Sequence, residues 1–197
     1  MTTPTDTKLA APGAGLPLPE LLIARALFAT KRLTGSRRSF TAGFLRERIA
    51  IRRLVGACDE SSLAKRILIR RPPGLEDSSR DWSVLMTLDH LRIVHCEFVR
   101  VIDALARGTV PGGKASTAAV KPDPAVTEAV MPLYEASCDA LLECAEEVPD
   151  LRTRTKFAHP WFGPMDASAW HALAGGHMAI HRVQIERILK GLAASAS

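Results

Sequence analysis

Residues 82–107 constrain the fold most. Leu85, Leu88, Leu91, Val94, Phe98, Val101, Ile102 and Leu105 recur at steps dominated by three and four. That period draws one apolar stripe along a helix, whereas one face of a strand needs a period of two. Gly108 follows as a stop signal. A helix with so continuous a stripe must bury it against other elements, and no segment of the chain carries a strand pattern of any strength. The partners of this helix are therefore expected to be helices.

Four other segments supply them. Pro19 and Glu20 suit the first turn of a short helix over 20–33, interrupted by Gly35 and Ser36. A longer helix is predicted over 39–58, with Phe44, Leu45, Ile49 and Leu54 interleaved by Arg46, Arg48 and Arg53. Residues 124–148 form the next, with Val130, Leu133, Leu141 and Leu142 to one side and Pro132 expected to kink it or split off its start. Asp166 or Ser168 caps the last helix, which runs to about 192 and ends near Gly191. Residues 59–81, 109–121 and 149–164 read as connectors, the last of them turn-rich, with Ser78, Ser79 and Asp81 as candidate caps for the 82–107 helix.

The expectation is an all-α protein: an up-down four-helix bundle over 39–193, an extra N-terminal helix within 20–38, and a disordered Thr/Pro/Ala/Gly-rich tail over 1–19. At 197 residues one domain is the default. Leu21, Leu22, Ile23, Leu27 and Phe28 give the extra helix enough apolar surface to pack on the bundle or on a second subunit, so a homodimer is one expectation.

Composition narrows the function classes. Cys58, Cys96, Cys138 and Cys144 form no C-x-x-C pair, which reads as a reduced, cytoplasmic protein with cysteines as small buried side chains. No stretch approaches the roughly 18 apolar residues of a membrane span, and the apolar run at 21–29 is broken by Arg25, unlike a secretory signal. Residues 1–80 hold 15 Lys and Arg against 7 Asp and Glu. Lys31-Arg32 and Arg37-Arg38 are the best polyanion patch, but no aromatic residues interleave them and no DNA-reading motif appears. Nucleic acid is ranked last among partners.

The histidines carry the chemistry. His177 and His181 are four apart on a predicted helix and so lie one above the other on one face. Two imidazoles so placed can grip one metal ion. Zincins share the spacing but have Glu after the first His, where this chain has Met178. His90 is the candidate third ligand, a polar side chain amid Met86, Leu91 and Val94 that needs a partner. Three imidazoles leave room for water or substrate, the pattern of a catalytic site. Spacing alone leaves open whether these are ligands or separately hydrogen-bonded histidines.

A resemblance bears on that choice. Trp82-Ser-Val-Leu-Met-Thr-Leu-Asp-His90-Leu resembles the second-helix motif of the DinB/YfiT-like family. His159-Pro-Trp-Phe-Gly163, Trp170, and His177-Met-Ala-Ile-His181-Arg-Val-Gln184 are similar to the branch that reads H-P-x-F-G, W, H-x-x-x-H-x-x-Q. The similarity covers residues 40–192. It implies an up-down four-helix bundle with a divalent metal on His90, His177 and His181. It also implies relatives that include thiol-dependent transferases and proposed hydrolases. Zinc or nickel is the first expectation for the metal, with iron or copper also compatible with imidazole. A low-molecular-weight thiol is the implied cosubstrate.

Gln184 matches the family's trailing Gln and shares the face of His177 and His181, where it would bond a ligand or a metal-bound water, or simply pack. His95 lies five residues from His90, about 140° around the helix, and His171 is also off the face of His177. His159 precedes the last helix and is assigned a turn role beside Pro160, or a place at the bundle's mouth. Gly175-Gly176 in mid-helix points to a close neighbour there. Trp82 and Trp170 read as core, and Tyr134 and Glu135 are in reach of the site. Two functions follow: a metal-dependent transferase or hydrolase acting on a small molecule, or a non-catalytic ligand-binding or stress-response bundle in which the metal is structural or fixes the ligand.

Overall fold

The structure, a computed structural model, describes residues 8–195. Six helices account for most of it: α1 (Leu18–Thr34), α2 (Arg37–Gly56), α3 (Glu60–Leu63), α4 (Val84–Ala106), α5 (Val130–Glu147) and α6 (Ala167–Ser195). Two three-residue strands, β1 (Phe157–His159) and β2 (Gly163–Met165), pair antiparallel between α5 and α6. The all-α four-helix bundle with an extra N-terminal helix is present. The small hairpin lies where only a turn was expected, because strands this short are too brief to show alternation. No described helix is long and apolar enough to cross a membrane.

Local chemistry sets the helix ends. A capping box starts α2, with Ser39 N–H donating to Ser36 Oγ and Ser36 N–H to Ser39 Oγ. Ser83 caps α4 by accepting from Met86 N–H, displacing the candidates at 78–81. Asp166 caps α6 through Ala169 N–H. Helix α5 begins at Val130, not 124, so Pro132 is its third residue. The first turn has no intrahelical acceptors for its N–H groups, so Pro132 there removes no bond and neither kinks nor splits the helix.

Helix contacts give the directions. Phe40 and Thr41 meet His171, and Glu47 pairs with Arg182, so α2 and α6 run the same way. His90 meets His181 and Phe98 meets Trp170, so α4 opposes α6. His95 meets Ser137 and Val99 meets Cys144, so α5 runs with α4. Arg37 reaches the carbonyls at the end of α5 while Arg52 reaches Glu135 near its start, so α2 and α5 are opposed. The order is up, down, down, up. Strict alternation breaks once, between α4 and α5, and residues 107–129 must travel back along the bundle to join them. That return carries the loop past the start of α4, where His90 stands.

The four helices bury Phe44, Ile51, Leu88, Leu91, Ile102, Leu141 and Ile185 at their centre. Arg48 lies on the same face of α2 as Phe44 and Ile51 and is buried too. It bonds Glu135 at 2.7 Å and Asp139 at 2.6 Å on α5, which carries the α2–α5 contact in place of an apolar seam. Helix α1 packs by Phe28 against Phe162, ring centroids 4.6 Å apart, while Leu18, Leu22, Ile23, Leu27 and Leu33 stay exposed. Of the tail expected to be disordered, residues 1–7 lie outside the described residues. Residues 8–17 instead run against the bundle, with Ala10 N–H donating to Asp77. All four cysteines are free thiols.

Candidate metal centre

Helix α4 supplies His90 from its second turn, and α6 supplies His177 and His181 from facing turns. The Nε2 atoms converge: His177 Nε2 lies 3.2 Å from His90 Nε2 and 3.2 Å from His181 Nε2. Zinc–nitrogen bonds of about 2.05 Å at tetrahedral angles would set ligand nitrogens about 3.3 Å apart. Both His177 distances therefore match one small divalent cation, and the three side chains form the one His/Cys/Asp/Glu group among the described residues whose ligand atoms all lie within 4.8 Å of one another.

The other ring nitrogens explain why Nε2 faces inward. His90 Nδ1–H donates to Val120 O at 2.6 Å, in the returning 107–129 loop. His181 Nδ1–H donates to Gln184 Oε1 at 2.7 Å. Gln184 is itself oriented, because its Nε2–H donates to Ser79 O at 2.7 Å. Each bond places the proton on Nδ1 and leaves the Nε2 lone pair for a metal, the usual device for orienting a ligand imidazole. His177 Nδ1 is buried and has no partner among the described residues.

Burial also keeps the rings neutral. It pushes His90 down to about 4, against a smaller opposing effect of the Val120 bond. His177 and His181 lie well below the usual histidine range, by burial first and then by the neighbouring imidazoles. A neutral imidazole is the form that ligates a metal. Trp82 braces the pair from outside, its ring stacked on His181 at 6.2 Å and tilted on His90 at 5.2 Å. Gly175 permits α2 to approach, since a Cβ there would lie 3.1 Å from Phe44 N, which accounts for one of the two mid-helix glycines.

The site opens into a cavity of about 160 Å³. Its walls are mostly apolar, with Val94, Phe98, Trp161, Phe162, Leu173 and Ile180 prominent. Glu76 and Lys121 line it as a bonded pair at 2.8 Å. Lys121 also donates to Ser78 and Ser79, and Glu76 accepts from Thr117. Burial raises the Glu76 pKa, but the bonds from Lys121 and Thr117 outweigh it, so the carboxyl stays below its usual range.

The remaining candidates divide. His159 lines the cavity and also serves the turn, its Nδ1 accepting from Trp161 N–H at 3.1 Å. Trp170 lines it as well as packing in the core. Tyr134 faces elsewhere: it is buried beside His95, its hydroxyl 3.7 Å from Met178 Sδ, and Glu135 is taken by Arg48 and Arg52. His95 bonds Ser137 and His171 bonds Thr41, away from the three ligands. The sequence reading missed the carbonyls of Val120 and Ser79, which no side-chain pattern marks. It also missed Glu76 and Lys121.

No protein-family model matches the chain, and no curated protein matches it. Among solved structures it is similar to TT2238, a four-helix bundle protein, with 22% identity and a TM-score of 0.56 over 82% of this chain and 100% of that one. At that identity the likeness shows the fold alone.

Proposed function

We propose that the protein is a metal-dependent enzyme of the DinB/YfiT-like type, acting on a small molecule held in the cavity beside His90, His177 and His181. The observation that carries this reading is the meeting of three Nε2 lone pairs, two oriented by bonds to Val120 and Gln184, at the wall of an apolar cavity. The motif resemblance at 82–91 and 159–184 supports the family, and it makes a thiol-dependent transferase or a hydrolase the reaction class to test. Zinc or nickel is the metal proposed first. A divalent ion there would act as a Lewis acid, lowering the pKa of a bound water or thiol. The chain's own contribution is to hold the imidazoles neutral, to fix their tautomers and to exclude water.

A second reading has an observation in its favour. Among the described residues no free carboxylate stands in the cavity as a general base, since Glu76 is bound to Lys121 and Thr117, and Glu97 to Arg100. A bundle that binds a ligand without transforming it would look the same. The basic patch gives nucleic acid no comparable support, because Arg37 is spent on the carbonyls of Glu146, Val148 and Pro149.

The test is metal analysis of purified protein and of His181→Ala, followed by turnover of thiol-plus-electrophile and ester panels before and after chelation. The enzyme reading expects near-stoichiometric metal in the wild type, loss in the variant, and turnover that chelation abolishes. Metal without turnover leaves the binding reading. No stoichiometric metal sinks both metal-based readings.

A further inference from the structure

His159 has a second ring nitrogen that the turn does not use. Its Nδ1 accepts from the backbone N–H of Trp161, and a backbone amide can only donate. Burial holds the ring down to about 4, so it is neutral near pH 7. A neutral ring that accepts at Nδ1 carries its proton on Nε2. No acceptor for that Nε2–H exists among the described residues, although the ring is packed by Phe162 at 5.1 Å and Trp170 at 5.4 Å and lines the cavity. His159 is half-buried, so its Nε2–H is left for water or for a ligand atom that takes the water's place in the cavity.

The rest of the cavity says what kind of ligand that is. Its lining cation, Lys121, is already bound to Glu76 and two serine hydroxyls, so an anionic ligand finds no unpaired positive side chain there among the described residues. Its carboxylates, Glu76 and Glu97, are paired as well. A cavity of about 160 Å³ is close in size to the roughly 150 Å³ apolar cavity that takes up benzene.

We propose that His159 is a ligand-binding residue whose Nε2–H donates to an oxygen acceptor on a neutral, mostly apolar, single-ring-sized molecule. This rests on the cavity beside His177 being the ligand site, as proposed above. His159 then selects uncharged carbonyl-type compounds over hydrocarbons of the same shape, because only the former satisfy the donor. In metal-free protein it also selects them over carboxylates, because a carboxylate would then enter without a counter-charge.

Three probes of nearly one shape separate the possibilities: acetophenone, isopropenylbenzene, which replaces the carbonyl oxygen by a methylene, and benzoate. Dissociation constants are measured by NMR titration of the full chain, zinc-loaded and zinc-free. In zinc-free protein the ketone oxygen has no metal to reach, so the comparison reports the donor. Acetophenone is expected to bind about fivefold tighter than isopropenylbenzene, the size of one net hydrogen bond, with the His159 Nε2–H resonance moving on titration. In zinc-free protein benzoate is expected to bind more weakly than acetophenone. In His159→Phe the ratio falls to about one. In His159→Gln, whose side-chain amide restores a donor, part of the preference returns, which also covers a Phe variant that folds poorly. An unchanged ratio in His159→Phe, tighter binding of benzoate than of acetophenone in zinc-free protein, or no saturable binding of any probe overturns the proposal. Zinc content is read separately, so loss of the metal reading leaves this result standing.

Discussion

Gln184 stands 2.7 Å from His181 Nδ1, and its amide is fixed from the other side by Ser79 O. That contact decides which nitrogen of His181 is available. In Gln184→Leu the tautomer is no longer specified and Ser79 O loses its donor. Metal affinity is expected to fall roughly 10- to 100-fold, read by competition against a chromophoric chelator. The buried carbonyl left unsatisfied costs about 1–3 kcal/mol of stability. An affinity equal to wild type would show that Gln184 only packs.

Metal binding should stabilise the bundle by mass action, since the site exists only when α4 and α6 are docked. Free zinc at about 100 times its dissociation constant is worth about 2.7 kcal/mol. The melting temperature therefore rises on adding zinc and falls on chelation, and neither change occurs in His90→Ala. A shift of the same size in that variant would place the responsible ion elsewhere.

The metal-free protein should weaken in mild acid. Burial holds His90, His159 and His171 down to about 4 and His95 to about 3. In an unfolded chain histidines titrate near 6.5 (about the model-peptide value). Between those values the unfolded state binds more protons, so stability falls as pH falls through that window, and above it these groups add no slope. Urea midpoints from about pH 7.5 to 4.5 check this. A midpoint level across that range would contradict the burial of these rings.

Arg48 tests the scaffold apart from the site. It is 7% exposed and joins α2 to Glu135 and Asp139. Arg48→Ala removes the buried part of the α2–α5 bridge, leaving Arg52 on Glu135, and should cost about 1–3 kcal/mol by urea unfolding, with zinc stoichiometry unchanged in the folded protein. Coupled loss of zinc at low urea would mean that the site depends on this bridge.

The site's ligands were legible because two simple signals coincide: His177 and His181 at helical i, i+4 spacing, and His90 as a polar break in the apolar stripe of α4. What supports them was not. The Val120 carbonyl reaches His90 only because α4 and α5 run the same way, and backbone groups leave no mark in a residue pattern. Pro132 misled for a related reason. Whether a proline interrupts a helix depends on where the first turn starts, and Val126 extends the apolar spacing upstream of Val130. Tyr134 shares α5 with Ser137 and Cys138, whose contacts with His95 turn that face to the core and away from the cavity.

The most direct test of the metal centre is a crystal structure of the zinc-loaded protein with anomalous difference maps at the zinc edge. One strong peak is expected about 2.1 Å from Nε2 of His90, His177 and His181, on the cavity side of the three rings. A peak bound by other residues, or full zinc occupancy of the crystals with no density between these imidazoles, would contradict it.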